Sequence, residues 1–406
     1  MSMGDFSKPE RRRLDSIGTL WFKGQPFKKT DIVETGKYPC LHYGELFSKY
    51  GAIIDSVSSR CDVFPKRLSQ KGDILFPASD VTPAGLTRCS AIMQENVILG
   101  GDVIGFRPQT GLNPIYLSYA IRHQKTQLLQ RVTGALIKHI SAKSLQSIII
   151  PIHPIERQDR FEKQVRHLNR IISHRRTQLA KLDELVKCRF VELFGEPLAP
   201  KAKWKTTSFG SEFEIFSGGT PSTSVSEYWD NGTIPWIGSN MCQDVILSST
   251  DGKYITEEGF NKSSAKWAHA GYVIVALVGA TIGKTALLTI STTTNQNVAS
   301  VNVPGNTNYT PEYVYMLMRF LYAKFMELGN GGFKMANLGF IRQLPLPSPP
   351  IDLQREYSDF MNRIDKLRFG EIKTGIEGKG WGKALTGSGK DGRRRYNNDG
   401  RGSKQL

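Results

Sequence analysis

Apolar and polar residues follow two different periods along this chain. Short runs rich in β-branched and aromatic residues, separated by Gly, Pro, Asp and Asn, are typical of strands. Such runs lie at 18–22, 52–57, 72–76, 101–106 and 147–152, and again at 233–238, 272–279, 285–290 and 297–303. Helices are predicted over 114–130, with Pro114 in the first turn after a capping Asn113, and over 311–328.

The stretch 154–194 has a helical period. Its apolar residues recur at alternating spacings of four and three, it has no internal Gly or Pro, and Gly195 and Pro197 follow it. This pattern predicts a long helix with a coiled-coil seam; a plain surface helix is the alternative. The seam residues, expected to contact a partner helix or subunit, are Phe161, Val165, Leu168, Ile172, Leu179, Leu182 and Val186. A shorter helix is predicted over 351–369.

The chain repeats itself at an offset of 196 residues. Pro151, Gln158 and Phe161 correspond to Pro347, Gln354 and Tyr357, and Tyr116 and Arg122 correspond, with a small slip, to Tyr313 and Arg319. A repeat of this length indicates a duplicated domain rather than a solenoid unit. The predicted fold class is therefore α+β, with two β-rich domains at 1–153 and 198–350. The predicted helices lie at 154–197 and 351–369, and 370–406 is a Gly-rich, basic tail predicted to be disordered.

The net charge of the chain indicates the kind of partner it binds. The 406 residues include 54 Lys and Arg against 37 Asp and Glu, a net charge of +17. Because the excess runs through both repeats, a polyanion such as nucleic acid is favoured over a merely basic surface. The N-terminus has no apolar leader and no long apolar run occurs, so a cytoplasmic location is predicted. The five scattered cysteines predict neither a zinc site nor a disulfide framework.

Two motifs resemble enzyme signatures and are rejected. GATIGKT at 279–285 has three residues between its glycines where a phosphate-binding loop has four, and a strand-like run follows it. NPIY at 113–116 resembles the base-binding loop of adenine methyltransferases but has only one proline. Neither repeat has a glycine-rich loop for S-adenosylmethionine. The sequence predicts no catalysis, no metal site and no cofactor bound by this chain.

Polar residues in loops are the candidates for DNA contact. Asn and Gln can bond adenine, Arg and Lys can bond guanine or phosphate, and the paired glycines are expected to let backbone approach a ligand. In the first repeat the candidates are Lys28, Lys29, His42, Tyr43, Glu45, Arg60, Arg88 and Lys138. In the second they are Gly218, Gly219, Thr220, Ser222, Asn240, Lys253, Thr281, Lys284, Asn295, Gln296 and Lys334. For any single one, a solvated surface role is the alternative.

Over 14–369 the chain resembles the specificity subunit of type I restriction–modification systems. The resemblance rests on SGGTPST (217–223), IPWIGS (234–239), YITEEGFNKSSAK (254–266), GATIGK (279–284) and TNQ (294–296), in that order within a duplicated frame. The stretch 23–47 resembles a variant of the first target-recognition domain, and the PxxPxxxQ starts of both long helices also fit.

The resemblance implies two target-recognition domains held apart by long antiparallel helices in a coiled coil. Each domain would read half of a bipartite site in double-stranded DNA, and the helices would dock methyltransferase (M) subunits. S-adenosylmethionine, ATP and magnesium would be bound by those subunits and by a restriction/translocase (R) subunit. The short second helix would leave the C-terminal half of the central helix without its partner. An inactive truncated subunit that binds DNA without assembling, or a double-domain adaptor that does not bind DNA, are the alternatives.

Overall fold

The computed structural model describes residues 8–199, 203–328 and 335–374, with side chains up to 368. The chain divides into two compact units, which meet within the long central helix between residues 175 and 176. Most of the predicted tail and the candidate Lys334 lie outside the described residues.

Unit 1 contains thirteen strands and the start of the long helix among its described residues. The strands are β1 (Glu10–Arg13), β2 (Gly18–Lys23), β3 (Ile32–Val33), β4 (Tyr38–Leu41), β5 (Ile53–Ile54), β6 (Arg60–Cys61), β7 (Ile74–Pro77), β8 (Ser79–Asp80), β9 (Ser90–Ile92), β10 (Ile98–Leu99), β11 (Val103–Pro108), β12 (Lys138–His139) and β13 (Ile149–Ile152). The helices are α1 (Glu45–Ser48), α2 (Pro114–His123), α3 (Lys125–Leu129), α4 (Ala142–Gln146) and α5 (Ile155–Phe194).

Unit 2 follows the same plan. Its strands are β14 (Thr206–Ser208), β15 (Ile215–Ser217), β16 (Ile234–Ile237), β17 (Val245–Leu247), β18 (Tyr254–Ile255), β19 (Trp267–Ala268), β20 (Val273–Ala276), β21 (Thr285–Leu288), β22 (Thr292–Thr294), β23 (Val298–Val301) and β24 (Pro345–Pro347). Its helices are α6 (Phe209–Glu212), α7 (Glu257–Asn261), α8 (Pro311–Phe320), α9 (Tyr322–Met326), α10 (Leu338–Gln343) and α11 (Ile351–Thr374).

The five-stranded sheets of the two units share one topology. The five-stranded sheet of unit 1 has the order β2-β11-β7-β9-β5, and that of unit 2 has the order β15-β23-β20-β21-β17. In both, the first three pairings are antiparallel and the last is parallel. Each unit also has a four-stranded sheet, β10-β4-β6-β3 or β18-β16-β22-β19. The duplication in sequence is therefore a duplication in structure.

Most predicted strands form but are shorter than their apolar runs. Of 52–57, only Ile53–Ile54 pairs in the sheet, because the Val57 N–H is taken by the Gln94 side chain at 2.7 Å instead of a neighbouring strand. The single helices predicted over 114–130 and 311–328 are wrong in their continuity. Each is two helices, and in unit 1 the break follows from Gln124, whose N–H bonds Ile121 O three residues back and ends α2.

The long helix forms as predicted and both its ends are packed. In unit 1, the ring of Phe161 meets the edges of Tyr116 and Tyr119, with centroids 5.8 and 5.5 Å away. In unit 2, Val186, Phe190 and Phe194 are buried in the main core, together with Tyr357 of α11. The helix thus forms part of both hydrophobic cores.

The expectation about the unpaired half of this helix is wrong. Its C-terminal part packs against α11: Asp183 lies 3.6 Å from Arg368, and Arg189 pairs with Glu356. Later residues of α5 therefore meet earlier residues of α11, which is an antiparallel packing. The seam residues Leu168, Ile172 and Leu179 are instead 56%, 48% and 38% exposed. An antiparallel partner that begins beside the end of α5 covers that end first.

Candidate nucleic-acid interface

Polar loops of unit 2 gather at one end of its five-stranded sheet. Strands β15 and β20 end there, and β17, β21 and β23 begin there. The loops that follow or precede these strands carry the sequence candidates 218–220, 281–284 and 295–296. Segments that are far apart in sequence are thereby brought to one edge.

Gly218 and Gly219 are needed for packing within the protein. A Cβ on Gly218 would lie 1.9 Å from the Thr294 carbonyl oxygen, and one on Gly219 would lie 2.2 Å from Ser264 Oγ. The Gly219 N–H donates to Thr294 O at 2.9 Å, and Trp236 Nε1 donates to Gly219 O at 2.9 Å. The space that a side chain would need is filled by the chain itself, so internal packing requires glycine at both positions. That these glycines also bring backbone to a ligand stays a prediction.

Amide and hydroxyl side chains cluster beside this glycine loop. Thr220 Oγ1 donates to Gln296 Oε1 at 2.5 Å. The Asn297 N–H donates to Asn295 Oδ1 at 3.0 Å, which leaves the Asn295 NH₂ group for an outside acceptor. A Cβ built on Gly238 would lie 2.7 Å from Asn240 Oδ1 and 3.5 Å from Asn295 Nδ2. The predicted Thr220, Asn240, Asn295 and Gln296 are thus close together.

Three cationic or hydroxyl candidates lie around this cluster. Lys253 Nζ lies 5.9 Å from the centre of the Trp236 ring and 3.6 Å from Asp251. Ser222 Oγ lies 2.8 Å from Ser224 Oγ in an exposed turn. Thr281 O accepts the Lys284 N–H at 2.8 Å.

Lys284 has a structural partner. Its Nζ donates to Asp244 Oδ2 at 2.6 Å and lies 5.0 Å from the Tyr322 ring centre. It lines a cavity of about 770 Å³ with Arg319 and Lys187. The Gly279–Thr281 turn before it leads into strand β21 and not into a helix, which agrees with the rejection of a phosphate-binding loop.

In unit 1, five of the eight candidates line two adjoining grooves. The grooves have volumes of about 550 and 570 Å³, and both are lined by His42 and Tyr43. Lys28 lines the first, and Lys29 and Glu45 line the second. The two grooves carry an imidazole, a phenol and the ammonium groups of Lys23, Lys28 and Lys29 beside the carboxylates of Asp31, Glu45 and Asp102. This mixture of donors, acceptors and aromatic rings is suited to base edges.

Glu45 organises the groove. Its Oε2 accepts the His42 N–H at 3.0 Å, and its Oε1 accepts from Ser59 Oγ at 2.6 Å and from Lys49 Nζ at 3.1 Å. With both oxygens occupied by protein donors, this carboxylate holds the strand end on which His42 lies.

The remaining three candidates of unit 1 bind backbone carbonyls. Arg60 donates to Gly36 O and Lys37 O at 2.5 and 2.7 Å, and Arg88 donates to Phe47 O at 2.7 Å. Lys138 Nζ donates to Gly134 O and Ala135 O, both at 2.8 Å. These cations hold loops in place, and they do not line the two grooves.

Lys23 and Phe27 line the first groove and were missed by the sequence analysis. A signal for them exists in the glycines. A Cβ on Gly24 would lie 2.1 Å from Gly100 O, as one on Gly218 would lie against Thr294 O. Matching Gly24 to Gly218 across the two repeats would have placed the residues around Gly24 in the equivalent site.

Among the described residues, no group of three or more His, Cys, Asp or Glu side chains is arranged to hold a metal ion. The same described ranges contain no helix long and apolar enough to cross a bilayer.

None of the five cysteines forms a disulfide bond, and Cys188 is the one that is exposed.

Comparison with known proteins identifies the family. Residues 7–183 and 201–377 each match the profile of the type I restriction modification DNA specificity domain. These two matches cover most of the 406 residues, so this chain belongs to that family, and it contains the domain twice.

Individual relatives agree with this assignment. The chain is 28% identical over 174 residues to the specificity subunit of the type I restriction enzyme EcoR124I/EcoR124II of Escherichia coli, a match that spans 41% of this chain and 42% of the relative. It is 25% identical over 169 residues to the MjaIX specificity subunit of Methanocaldococcus jannaschii, which spans 40% and 38%. The matched stretch is thus about two fifths of each curated relative.

Solved structures share the fold. The S subunit of a type I restriction–modification system from M. genitalium superposes with a TM-score of 0.56 at 15% identity, over 92% of this chain and 94% of that one. A chain from a study of complex assembly and conformational transition in a type I R-M system superposes with a TM-score of 0.50 at 16% identity, over 91% and 95%.

Proposed function

We propose that this chain is the DNA-reading subunit of a type I restriction–modification complex and is not itself an enzyme. Each unit reads one half of a bipartite site in double-stranded DNA. The observation that carries the proposal is the pair of topologically equivalent sheet-end sites with unlike side chains. Unit 1 offers His42, Tyr43 and lysines, whereas unit 2 offers Thr220, Asn295 and Gln296. Two sites at equivalent positions but with different side chains suit a DNA target whose two halves differ in sequence.

The charge of the chain supports DNA as the ligand. A net charge of +17 favours phosphate contact, which fixes position, while the imidazole and amide groups supply base contact. The exposed apolar residues of α5 between Leu168 and Leu179 are the proposed dock for methyltransferase subunits. S-adenosylmethionine, ATP and magnesium are bound by those subunits and by a restriction subunit, and the complex works in the cytoplasm.

Methylation mapping by single-molecule sequencing tests this proposal. A host carrying this chain with its methyltransferase partner should show a gapped, two-part adenine motif that disappears when the chain is deleted. Purified chain should bind duplex DNA with an affinity that falls steeply with salt. A motif that persists after deletion, or binding that ignores salt, would contradict the proposal.

A further inference from the structure

The hydrogen bonds around His42 fix which of its ring nitrogens carries the proton. The Gly44 backbone N–H donates to His42 Nδ1 at 3.2 Å. A backbone N–H can only donate, so Nδ1 must be an acceptor without a proton. In a neutral imidazole the proton then resides on Nε2. The chain itself therefore sets the tautomer of this side chain.

The protonated Nε2 is available to a ligand. Within the described residues it has no hydrogen-bond partner, and it is not among their buried unpaired polar atoms. Because His42 lines both grooves of unit 1, this N–H is a donor presented in the groove. Lys28 lines the first groove with it and Lys29 lines the second, and lysine side chains commonly contact phosphates.

The ring is also held in position. Its centroid lies 4.6 Å from that of Tyr43 and 5.9 Å from that of Phe27, and the backbone N–H of His42 is bound by Glu45 at 3.0 Å. A donor fixed by aromatic neighbours and by a capped backbone loses little freedom when it bonds a ligand, so its direction carries specificity.

We propose that the Nε2–H of His42 donates to N7 on the major-groove edge of a guanine in the half-site bound by unit 1. This inference rests on the proposed DNA-reading function. On that edge guanine presents two acceptors, N7 and O6, and no donor. Adenine presents N7 beside an amino donor, thymine presents O4 beside a methyl group, and cytosine presents an amino donor alone. A side chain locked as a donor opposes the amino group of cytosine, and it favours guanine over adenine because the group beside N7 is the acceptor O6 and not an amino donor. His42 is a specificity-determining residue on this assignment.

The first experiment compares methylation motifs of complexes that contain the full chain, His42→Ala or His123→Ala. His123 is an exposed histidine at the end of α2 and lines neither groove, so it is the matched control. We expect His42→Ala to relax one guanine position in one half-site, to leave the other half-site unchanged, and to keep the unfolding midpoint. His123→Ala should reproduce the parental motif.

The second experiment removes the acceptor from the DNA. Replacing the guanine found above by 7-deazaguanine should weaken binding of the parental complex about tenfold, the size expected for one specific base contact. The same replacement should have no effect on His42→Ala. His42→Gln, which can still donate, should retain part of the sensitivity.

The outcomes separate the inference from the function on which it rests. An unchanged motif in His42→Ala, or an equal effect of 7-deazaguanine on parent and variant, overturns the guanine assignment alone. A parental complex with no gapped motif and no salt-dependent DNA binding overturns the proposed function and the assignment together.

Discussion

In each unit one buried glutamine binds the sheet-rich part to the helix that follows it. Gln158 Oε1 accepts the Asn113 N–H and Gln354 Oε1 accepts the Thr310 N–H, both at 3.0 Å. Each glutamine also donates to a carbonyl of the proline-rich segment before its helix. The glutamines are 1% and 0% exposed, and in each the amide oxygen and the amide nitrogen both have a protein partner.

Replacing Gln354 by leucine should destabilise unit 2. The change keeps the size of the side chain but leaves the Thr310 N–H and two carbonyls, Asn308 O and Pro349 O, without partners. We expect a loss of about 3 kcal/mol in the free energy of unfolding, since each orphaned buried group costs roughly 1–3 kcal/mol. Urea unfolding measures it. Gln164→Leu, on the exposed face of α5, is the control, and equal losses in both variants would refute the assignment.

Gly218→Ala should disturb the reading site of unit 2. Its new Cβ would lie 1.9 Å from Thr294 O, so the loop that carries Thr220 must move. We expect a cost of about 1–3 kcal/mol, typical of overpacking, and weakened recognition of one half-site. Gly51→Ala is the control because a Cβ there meets nothing within 4 Å. Thermal unfolding and methylation mapping measure the two effects, and a variant indistinguishable from Gly51→Ala would refute the packing role.

At the residue scale, the sequence predicts which polar residues lie in loops but not which atoms they bind. Five candidates of unit 1 line its two grooves, and four candidates of unit 2 lie close together within that unit. Arg60, Arg88 and Lys138 instead bind carbonyls, and Lys284 binds Asp244. A cation in a loop has the same sequence signature whether its partner is a phosphate or its own backbone, because both are oxygen acceptors.

At the element scale, the central helix is predictable because its period is local, whereas its burial is not. The 4-3 spacing predicts 154–194, and the helix is Ile155–Phe194. Which turns are covered depends on α11, which begins 157 residues after α5 ends (351 − 194 = 157). The antiparallel packing covers Val186 and leaves Leu168 exposed, a result that periodicity alone does not contain.

Asp183 on α5 should make unit 2 sensitive to acid. It accepts from Arg319 at 3.0 Å, and Lys187 lies 3.1 Å away. Burial raises the pKa of Asp183, but Arg319 and Lys187 lower it, and the net effect is a lowered pKa. The stabilisation is therefore present above the unfolded-state pKa, about 4, and is lost as the pH falls through the folded-state value.

Asp183→Asn should accordingly lose about 2 kcal/mol at neutral pH, the value of a charged hydrogen bond, and should lose less than the parent on acidification from pH 6 to 3. Urea unfolding across this range measures both. Asp359→Asn, an exposed change on α11, is the control. A parent and an Asp183→Asn variant with parallel pH profiles would show that this ion pair does not stabilise the fold.

The exposed seam of α5 should matter for assembly and not for folding. Because Leu168 and Ile172 are about half exposed, replacing both with serine should change the free energy of unfolding by no more than about 0.5 kcal/mol each. If methyltransferase subunits dock here, capture of those subunits by the full chain should fall roughly tenfold, as expected for the loss of apolar anchors. Leu136→Ser, which is 90% exposed in unit 1, is the control. Unimpaired capture would place the dock elsewhere.

At the scale of the whole molecule, duplication separates framework from chemistry. The offset of 196 residues predicts two copies of one fold, and the two five-stranded sheets have the same strand order. The convergence of loops 218–220 and 295–296 depends on the pairing of β15 with β23, which are about 80 residues apart, and no local pattern encodes it. The framework is thus repeated while its loops differ, which on the proposed function would let each unit change its target without changing the other.

Replacing two lysines of unit 1 should remove its electrostatic contribution to DNA affinity. Lys28 and Lys29 line the grooves together with His42, and on the proposed function each would neutralise one phosphate. Each neutralised phosphate contributes about 0.9 to the slope of log K against log salt, so replacing both lysines with alanine should reduce that slope by about 1.8. Since phosphates carry no base identity, the methylation motif should stay the same while affinity falls.

Lys125→Ala with Lys181→Ala, which removes the same charge from positions outside the grooves, is the control. If both pairs reduce the slope equally, the affinity for DNA depends on net charge alone. If only the Lys28 and Lys29 pair reduces it, the DNA backbone runs along the unit 1 grooves, as the proposed contact of His42 requires.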